Sequence, residues 1–229
     1  MYRGKRPGAE MIELAPEQVL ALAFCRQDLR GPYGLLFRFD RSLARAMPHL
    51  GPPIVGQVRL AWWREQILSL SGSGATDPVL NGLDDLIGAH PGARAGLGAL
   101  IDGWETLLTD ADPSGDRLLE FAKARGGSLF RIACIVSGTE AENAAERAGA
   151  LWALVDFARH CSDRDLAAHA LALAGAFGGA PRELPRALRP FAILAHFAER
   201  DVARGIERPT PSGSPRRIAQ AWKFVIGMA

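Results

Sequence analysis

Short breaks rich in Pro and Gly divide the chain into segments of helical length, and this pattern constrains the fold more than any other feature. Clear breaks lie at residues 51–53, 71–74 and 178–181. Between the breaks Ala and Leu are abundant, and runs of β-branched and aromatic residues in period-two alternation are missing. The pattern predicts an all-α fold, a single-domain bundle of eight or nine helices.

The same breaks set the expected boundaries of the domain and its helices. We predict a loose leader over residues 1–14 and one helical domain over residues 15–229. The domain is single because no convincing linker divides residues 15–229. The predicted helices span about residues 16–30, 33–47, 54–70, 78–89, 93–109, 115–136, 142–167, 190–204 and 215–227. Three signals refine this scheme: a helix end at Arg30-Gly31-Pro32, a kink or close helix contact at Gly126-Gly127, and a capping box over Thr139–Glu142.

Charge and composition argue against several classes of function. The formal net charge is +2 and the charges are interspersed, so we expect no nucleic-acid partner. Residues 200–223 are rich in Arg and are expected to form a solvated tail or to touch acidic lipid or a partner. The sequence has no run of about 20 apolar residues, so we expect no membrane-spanning helix. The first 25 residues lack the plan of a signal peptide. We therefore expect a cytoplasmic protein and leave peripheral membrane association open.

The cysteines give no sign of a metal site or a disulfide framework. Cys25, Cys134 and Cys161 are odd in number and far apart, and no Cys/His spacing typical of zinc is present. We expect each to be a small buried hydrophobic residue.

The third predicted helix carries the most distinctive sequence. Leu60, Trp63, Ile67 and Leu70 recur at i, i+3, i+7 and i+10 and therefore form one apolar stripe. Residues 52–67, PPIVGQVRLAWWREQI, resemble the helix start and RLxWWR segment of squalene/phytoene synthase-like proteins. They are most similar to a divergent bacterial branch whose mitochondrial relatives are assembly factors for the respiratory NADH dehydrogenase.

Further segments resemble this family in the same order along the chain, over residues 36–45, 100–103, 126–133 and 152–159. The resemblance implies an isoprenoid synthase-like bundle of mostly antiparallel helices around a central apolar cavity. It also implies the family reaction, in which two prenyl diphosphates are joined head to head. Magnesium ions held by paired carboxylates on facing helices stabilise the diphosphate leaving group in that reaction.

The first acidic set of such enzymes is absent from this chain. Phe39 and Arg41 match the aromatic and arginine positions of active members. The positions that then correspond to the acids hold Ala44, Arg45 and Pro48. A cation at Arg45 would repel Mg²⁺ rather than hold it.

The second acidic set is reduced to one carboxylate. Asp156 and Arg159 match the polar and arginine positions that precede the acids of active members. The acidic positions themselves hold His160, Asp163 and Arg164. The resemblance therefore implies no bound metal cofactor and no catalysis by the usual mechanism.

On one uninterrupted helix, Asp156, Arg159, His160 and Asp163 would share a face. Two interpretations of this face stay open. It is either a polar patch that lines the cavity and binds a phosphate or a cation, or an internally satisfied ion cluster.

Three functions remain compatible with the sequence, and whether the protein is an enzyme stays open. The first is a degenerate family member that holds an isoprenoid or lipid ligand or assists the assembly of a respiratory complex. Its candidate ligand-binding residues are Arg41, Arg59, Arg159 and His160. The second is an active prenyltransferase with a rearranged Mg²⁺ site, for which the candidate ligands are Asp40, Asp156 and Asp163. The third is a scaffold protein whose cavity is filled by side chains.

Overall fold

The computed structural model of the chain describes residues 13–47, 52–72, 74–109, 115–205 and 210–227. These residues form helices and no strand, so the predicted fold class is confirmed. The α-helices are α1 (Pro16–Ala23), α2 (Gln27–Ala46), α3 (Pro53–Ser69), α4 (Pro78–Ala89), α5 (Ala93–Thr109), α6 (Gly115–Ala122), α7 (Ser128–Ser137), α8 (Glu142–His160), α9 (Arg164–Gly175), α10 (Arg189–Val202) and α11 (Pro215–Val225). No helix in these ranges has both the length and the apolar character needed to cross a bilayer. Most of the predicted leader, and Pro48, lie outside the described residues.

The central core joins α2, α7 and α10 through aromatic side chains. Phe191 of α10 lies at its centre and contacts the rings of Tyr33, Phe37 and Phe130 at centroid distances of 4.8, 5.0 and 4.9 Å. All four side chains are fully buried. The predicted stripe of α3 also faces the core. Leu60, Ile67 and Leu70 are buried, and the half-buried Trp63 packs against the hydrophobic core.

Helix α2 begins earlier than predicted, because Arg30-Gly31-Pro32 does not break it. α1 ends at Ala23, and α2 runs from Gln27 through Pro32 to Ala46. Pro32 lies in the second turn, where its missing N–H removes a single backbone hydrogen bond. The continuous buried face of α2, which includes Leu29, Leu36 and Leu43, outweighs that loss.

The long helix predicted over residues 142–167 is interrupted. α8 ends at His160, and the Asp163 carboxylate then caps α9 by accepting hydrogen bonds from the amides of Asp165 and Leu166, at 2.9 and 3.0 Å. Asp163 is therefore on a different helix end from Asp156 and does not share its face. The predicted capping box is also wrong, because α8 starts after Ala141 without a side-chain cap.

A π-helical turn, Lys123–Gly127, joins α6 to α7 and brings them against α8. A Cβ atom placed on Gly126 would lie 2.0 Å from the carbonyl oxygen of Gly149 in α8, and one on Gly149 would lie 2.1 Å from the carbonyl oxygen of Gly126. The two backbones are thus in direct contact, and the predicted close helix contact at Gly126-Gly127 is confirmed. Insertions of this kind are frequent at functional sites.

The C-terminal basic region is not a solvated tail. Arg217 of α11 is fully buried and donates hydrogen bonds to Asp201 of α10 at 2.5 Å and to Glu17 of α1 at 2.8 Å. His196, on the inner side of α10, is buried with its ring stacked on Phe224 at 4.6 Å. α11 is therefore part of the domain.

Substitution of Gly149 by Ala tests the contact between α8 and the π turn. The added methyl group would overlap the Gly126 carbonyl, so we expect Gly149→Ala to lower the free energy of unfolding by about 3 kcal/mol. Gly98→Ala in α5 is the matched control: its methyl group meets no atom within 4 Å. It should be neutral or stabilising by up to about 1 kcal/mol. Urea denaturation followed by circular dichroism measures both, and equal effects would contradict the close contact.

Candidate functional site

A cavity of about 870 Å³ opens between the helices, which is large enough for a small-molecule ligand. Its apolar wall is formed by Leu14, Met47, Trp104, Phe121, Trp152, Phe157 and Leu194. Its charged lining is formed by Glu13, Glu17, Asp40, Arg41, Arg45, Arg125, Asp156, Arg159 and His160. The cavity is therefore not filled by side chains, and its two kinds of wall suit a ligand with a charged end and an apolar end.

Arg125 joins the two inner carboxylates of this cavity. Its Nε and Nη2 donate to the Asp40 carboxylate at 2.9 and 2.8 Å, and its Nη1 lies 2.7 Å from Asp156 Oδ2. Trp104 Nε1 donates a further hydrogen bond to Asp40 at 3.0 Å. We call Asp40, Arg125 and Asp156 the Arg125 cluster; it links α2, the π turn and α8.

Two indole rings enclose the guanidinium group. Its central carbon lies 4.2 Å from the ring centroid of Trp104 and 4.7 Å from that of Trp152. Arg125 is only 3% exposed. Cation–π contacts of this kind are strongest where the cation is desolvated, so the rings stabilise the charge in its buried position.

Glycines place Arg125 among these partners. A Cβ atom on Gly103 would lie 2.6 Å from the backbone nitrogen of Arg125, so α5 lies directly against the π turn and Trp104 reaches the guanidinium group. The contact between Gly126 and Gly149 holds the other side of the turn against α8. Asp156 lies seven residues after Gly149, about two helical turns along α8. Sequence reasoning noted Gly126-Gly127 but missed Arg125, the basic residue immediately before it.

The charges of the cluster favour the ionised states of Asp156 and Arg125. Burial by itself would raise the pKa of Asp156, but the charges of Arg125 and His160 outweigh it, and the pKa lies below its ordinary value. Burial likewise opposes the charge of Arg125, yet Asp40 and Asp156 raise the pKa of its guanidinium above the ordinary value. The two carboxylates thus share one internal cation, which leaves the cluster with a net charge of −1.

The residues present do not fit the magnesium site that the family reaction needs. Asp40 and Asp156 meet, as a rearranged site would require, but they meet at a guanidinium group. Asp163 is exposed, caps α9 and is absent from the cavity lining. Over the described ranges, no three His, Cys, Asp or Glu side chains are grouped so that they could hold a metal ion.

Arg41 and Arg45 supply positive charge that no ion pair within the described ranges balances. Both line the cavity from α2, one turn apart. The Nε atom of Arg41 is buried and has no hydrogen-bond partner. Neither side chain makes an ion pair with any residue that the structure describes. An unpaired buried donor is costly, and a bound anion would satisfy it.

The other three predicted ligand-binding residues have different positions. Arg159 donates to the Glu17 carboxylate at 3.1 and 3.0 Å and to the carbonyl of Thr210 at 2.7 Å, so it ties α8 to α1 and to the segment before α11. His160 is exposed at the cavity rim, with Nδ1 3.6 Å from Asp156 Oδ1. Arg59 does not line the cavity; it lies in a shallow outer groove of about 430 Å³ beside Trp62.

Removal of Arg125 should destabilise the fold far more than removal of an ordinary surface arginine. We expect Arg125→Ala to cost about 3–5 kcal/mol of unfolding free energy, because it leaves two carboxylates without a counter-ion. Arg131→Ala, which removes a half-exposed ion pair with Glu146, should cost at most about 1 kcal/mol. Urea denaturation measures both variants.

A triple variant separates loss of charge balance from loss of packing. Asp40→Asn and Asp156→Asn, added to Arg125→Ala, should recover part of the stability because no unpaired charge remains. If neutralising the carboxylates lowers the stability further, the cluster is not held by charge compensation.

Comparison with known proteins identifies the family. A family profile described as squalene/phytoene synthase matches residues 16–219. Neither the curated proteins nor the solved structures contain a significant match to the chain. The similarity to the branch that includes respiratory assembly factors stays a prediction. The chain belongs to the squalene/phytoene synthase family.

Proposed function

We propose that this protein binds an anionic, isoprenoid-like lipid in its cavity and does not condense prenyl diphosphates. The observation that carries the proposal is the Arg125 cluster, in which one guanidinium group binds both carboxylates of the cavity floor. The alternative is an active prenyltransferase, and it makes the opposite prediction about diphosphate release.

The cluster is a poor site for a divalent cation. Two carboxylates and one guanidinium group carry a net charge of −1, so a Mg²⁺ ion would meet one uncompensated negative charge and a nearby positive charge. Displacing Arg125 would remove it from Trp104 and Trp152 and leave its charge buried without a partner. A diphosphate leaving group would therefore lack the cations that stabilise it.

The remaining charges favour an anionic ligand. Of the carboxylates that line the cavity, Glu17 is bound by Arg159 and Arg217, and Asp40 and Asp156 are bound by Arg125. Glu13 is exposed and forms no ion pair within the described ranges. The cavity cations without an ion-pair partner in the described ranges are Arg41 and Arg45. Because Trp104, Phe121, Trp152 and Phe157 form an apolar wall, the best match is a phosphate or carboxylate head on a hydrocarbon chain. A second role in assembling a respiratory complex derives from the sequence resemblance alone.

Diphosphate release tests the loss of catalysis. Purified protein incubated with geranylgeranyl diphosphate and Mg²⁺ should release no more pyrophosphate than the same mixture without protein, because the described residues offer no cation site to assist ionisation. Turnover that requires Mg²⁺ and disappears in Asp156→Asn would reject the proposal and establish the prenyltransferase alternative.

Ligand binding tests the retained function. Farnesyl monophosphate should change the fluorescence of Trp104 and Trp152 on binding, and Arg41→Ala with Arg45→Ala should weaken its affinity about tenfold or more, because charge-assisted hydrogen bonds are lost. The affinity for farnesol should not change in the double variant. Arg59→Ala, outside the cavity, is the matched control. Equal losses for farnesol and its phosphate would contradict an anion site at Arg41 and Arg45.

A further inference from the structure

Helix α3 presents large apolar side chains to solvent as well as to the core. Ile54, Val55, Val58 and Trp62 are each between 41% and 62% exposed. Ile54, Val58 and Trp62 recur at i, i+4 and i+8, so they form one stripe with Val55 beside it. The buried residues of α3, Gly56, Leu60 and Ile67, lie on the opposite side. We call the exposed stripe the α3 outer face.

Aromatic contacts anchor this face to the core. Trp62 packs edge-on against Trp63 at a centroid distance of 5.0 Å, and Trp63 packs against the buried ring of Phe39 at 5.6 Å. The exposed indole is therefore held by a rigid support. A helix that is apolar on both sides needs a second partner besides its own core.

The charged residues that line the groove beside the α3 outer face are positive. Arg59 projects from α3 beside Val58, and Arg45 of α2 lies across the outer groove from it. Both arginines are exposed, and neither forms an ion pair within the described ranges. The first acidic residue of α3 is the exposed Glu65, which lies on the same side of the helix one turn beyond Trp62, so the face carries no acidic residue over residues 54–62. Apolar side chains with Trp and flanking arginines are the combination that inserts into the interface of an anionic bilayer.

The outer groove and the ligand cavity adjoin at Arg45. Arg45 lines both, together with Ser42 and Ala46 on the groove side and Ala44 and Met47 on the cavity side. An amphiphile at the α3 outer face would therefore lie next to the cavity, with the Arg45 side chain between the two.

We propose that the α3 outer face docks on an anionic lipid bilayer and that the outer groove is the route by which lipid enters the cavity. This inference rests on the proposed function for the identity of the cargo, but the docking itself depends on residues outside the cavity. A second exposed stripe, Ile218 and Trp222 of α11 with Ile226 just after it, lacks this connection, since none of its residues lines the outer groove or the cavity. That stripe supplies the matched control.

Vesicle co-sedimentation tests the docking surface. The wild-type chain should bind vesicles of equal parts phosphatidylcholine and phosphatidylglycerol and should bind pure phosphatidylcholine more weakly. Val58→Glu with Trp62→Glu should reduce the bound fraction about tenfold or more, whereas Ile218→Glu with Trp222→Glu should change it less than about twofold. Arg59→Glu should remove most of the preference for the anionic vesicles.

Two further readouts keep the outcomes distinct. Binding of farnesyl monophosphate without vesicles should be the same in Val58→Glu/Trp62→Glu as in the wild type, so a failure of the cavity and a failure of docking appear in different assays. The docking proposal is overturned if the wild type does not bind the anionic vesicles, or if the α11 pair alone abolishes binding. It is also overturned if sedimentation equilibrium shows a dimer that Val58→Glu/Trp62→Glu dissociates, since the occupant is then a second copy.

Discussion

The ion pairs of Arg125 with Asp40 and Asp156 connect the fold of this protein to its chemistry. They join three parts of the bundle, α2, the π turn and α8, at the floor of its cavity. A buried charge is stable only when its hydrogen bonds are satisfied. Here the Trp104 indole donates a hydrogen bond to Asp40, and Asp156 accepts the remaining end of the Arg125 guanidinium group. Carboxylates that bind a guanidinium group in this way contribute to the architecture, and Asp40 and Asp156 are both engaged by Arg125.

Backbone packing makes this cluster possible. Gly103, Gly126 and Gly149 allow α5, the π turn and α8 to approach until their backbones touch. Larger residues would separate the helices, and the guanidinium group would no longer reach both carboxylates. Substitution of these glycines should therefore also weaken the ion pairs of Arg125, because both depend on the same distance between the helices.

Local signals account for the parts of the structure that the sequence predicted well. α4 and α5 match their predicted bounds, since Pro78, the Asp77 cap and the adjacent Gly breaks act within a few residues. The helix end predicted at Arg30-Gly31-Pro32 is wrong because the buried face of α2 outweighs a local breaker. The predicted position of Asp163 on the same helix as Asp156 is wrong because the Asp163 carboxylate caps the start of α9. The partner of Asp40 lies 85 residues away, and no local pattern predicts such a pair.

Arg41 and Arg45, which form no ion pair within the described ranges, make the distribution of charge along the cavity uneven. Arg41 lies beside Asp40 in the chain, and Arg45 lies one turn further along α2, where the cavity meets the outer groove. The Arg125 cluster carries a net charge of −1, so the positive charge of the cavity lies at Arg41 and Arg45 rather than at the floor. In the proposed function, an anionic head group would gain most by staying at Arg41 and Arg45, while its hydrocarbon chain would contact the indole and phenyl rings of the wall. A pocket with this polarity would hold an amphiphile by its head group near the mouth, which suits capture from a surface and later release.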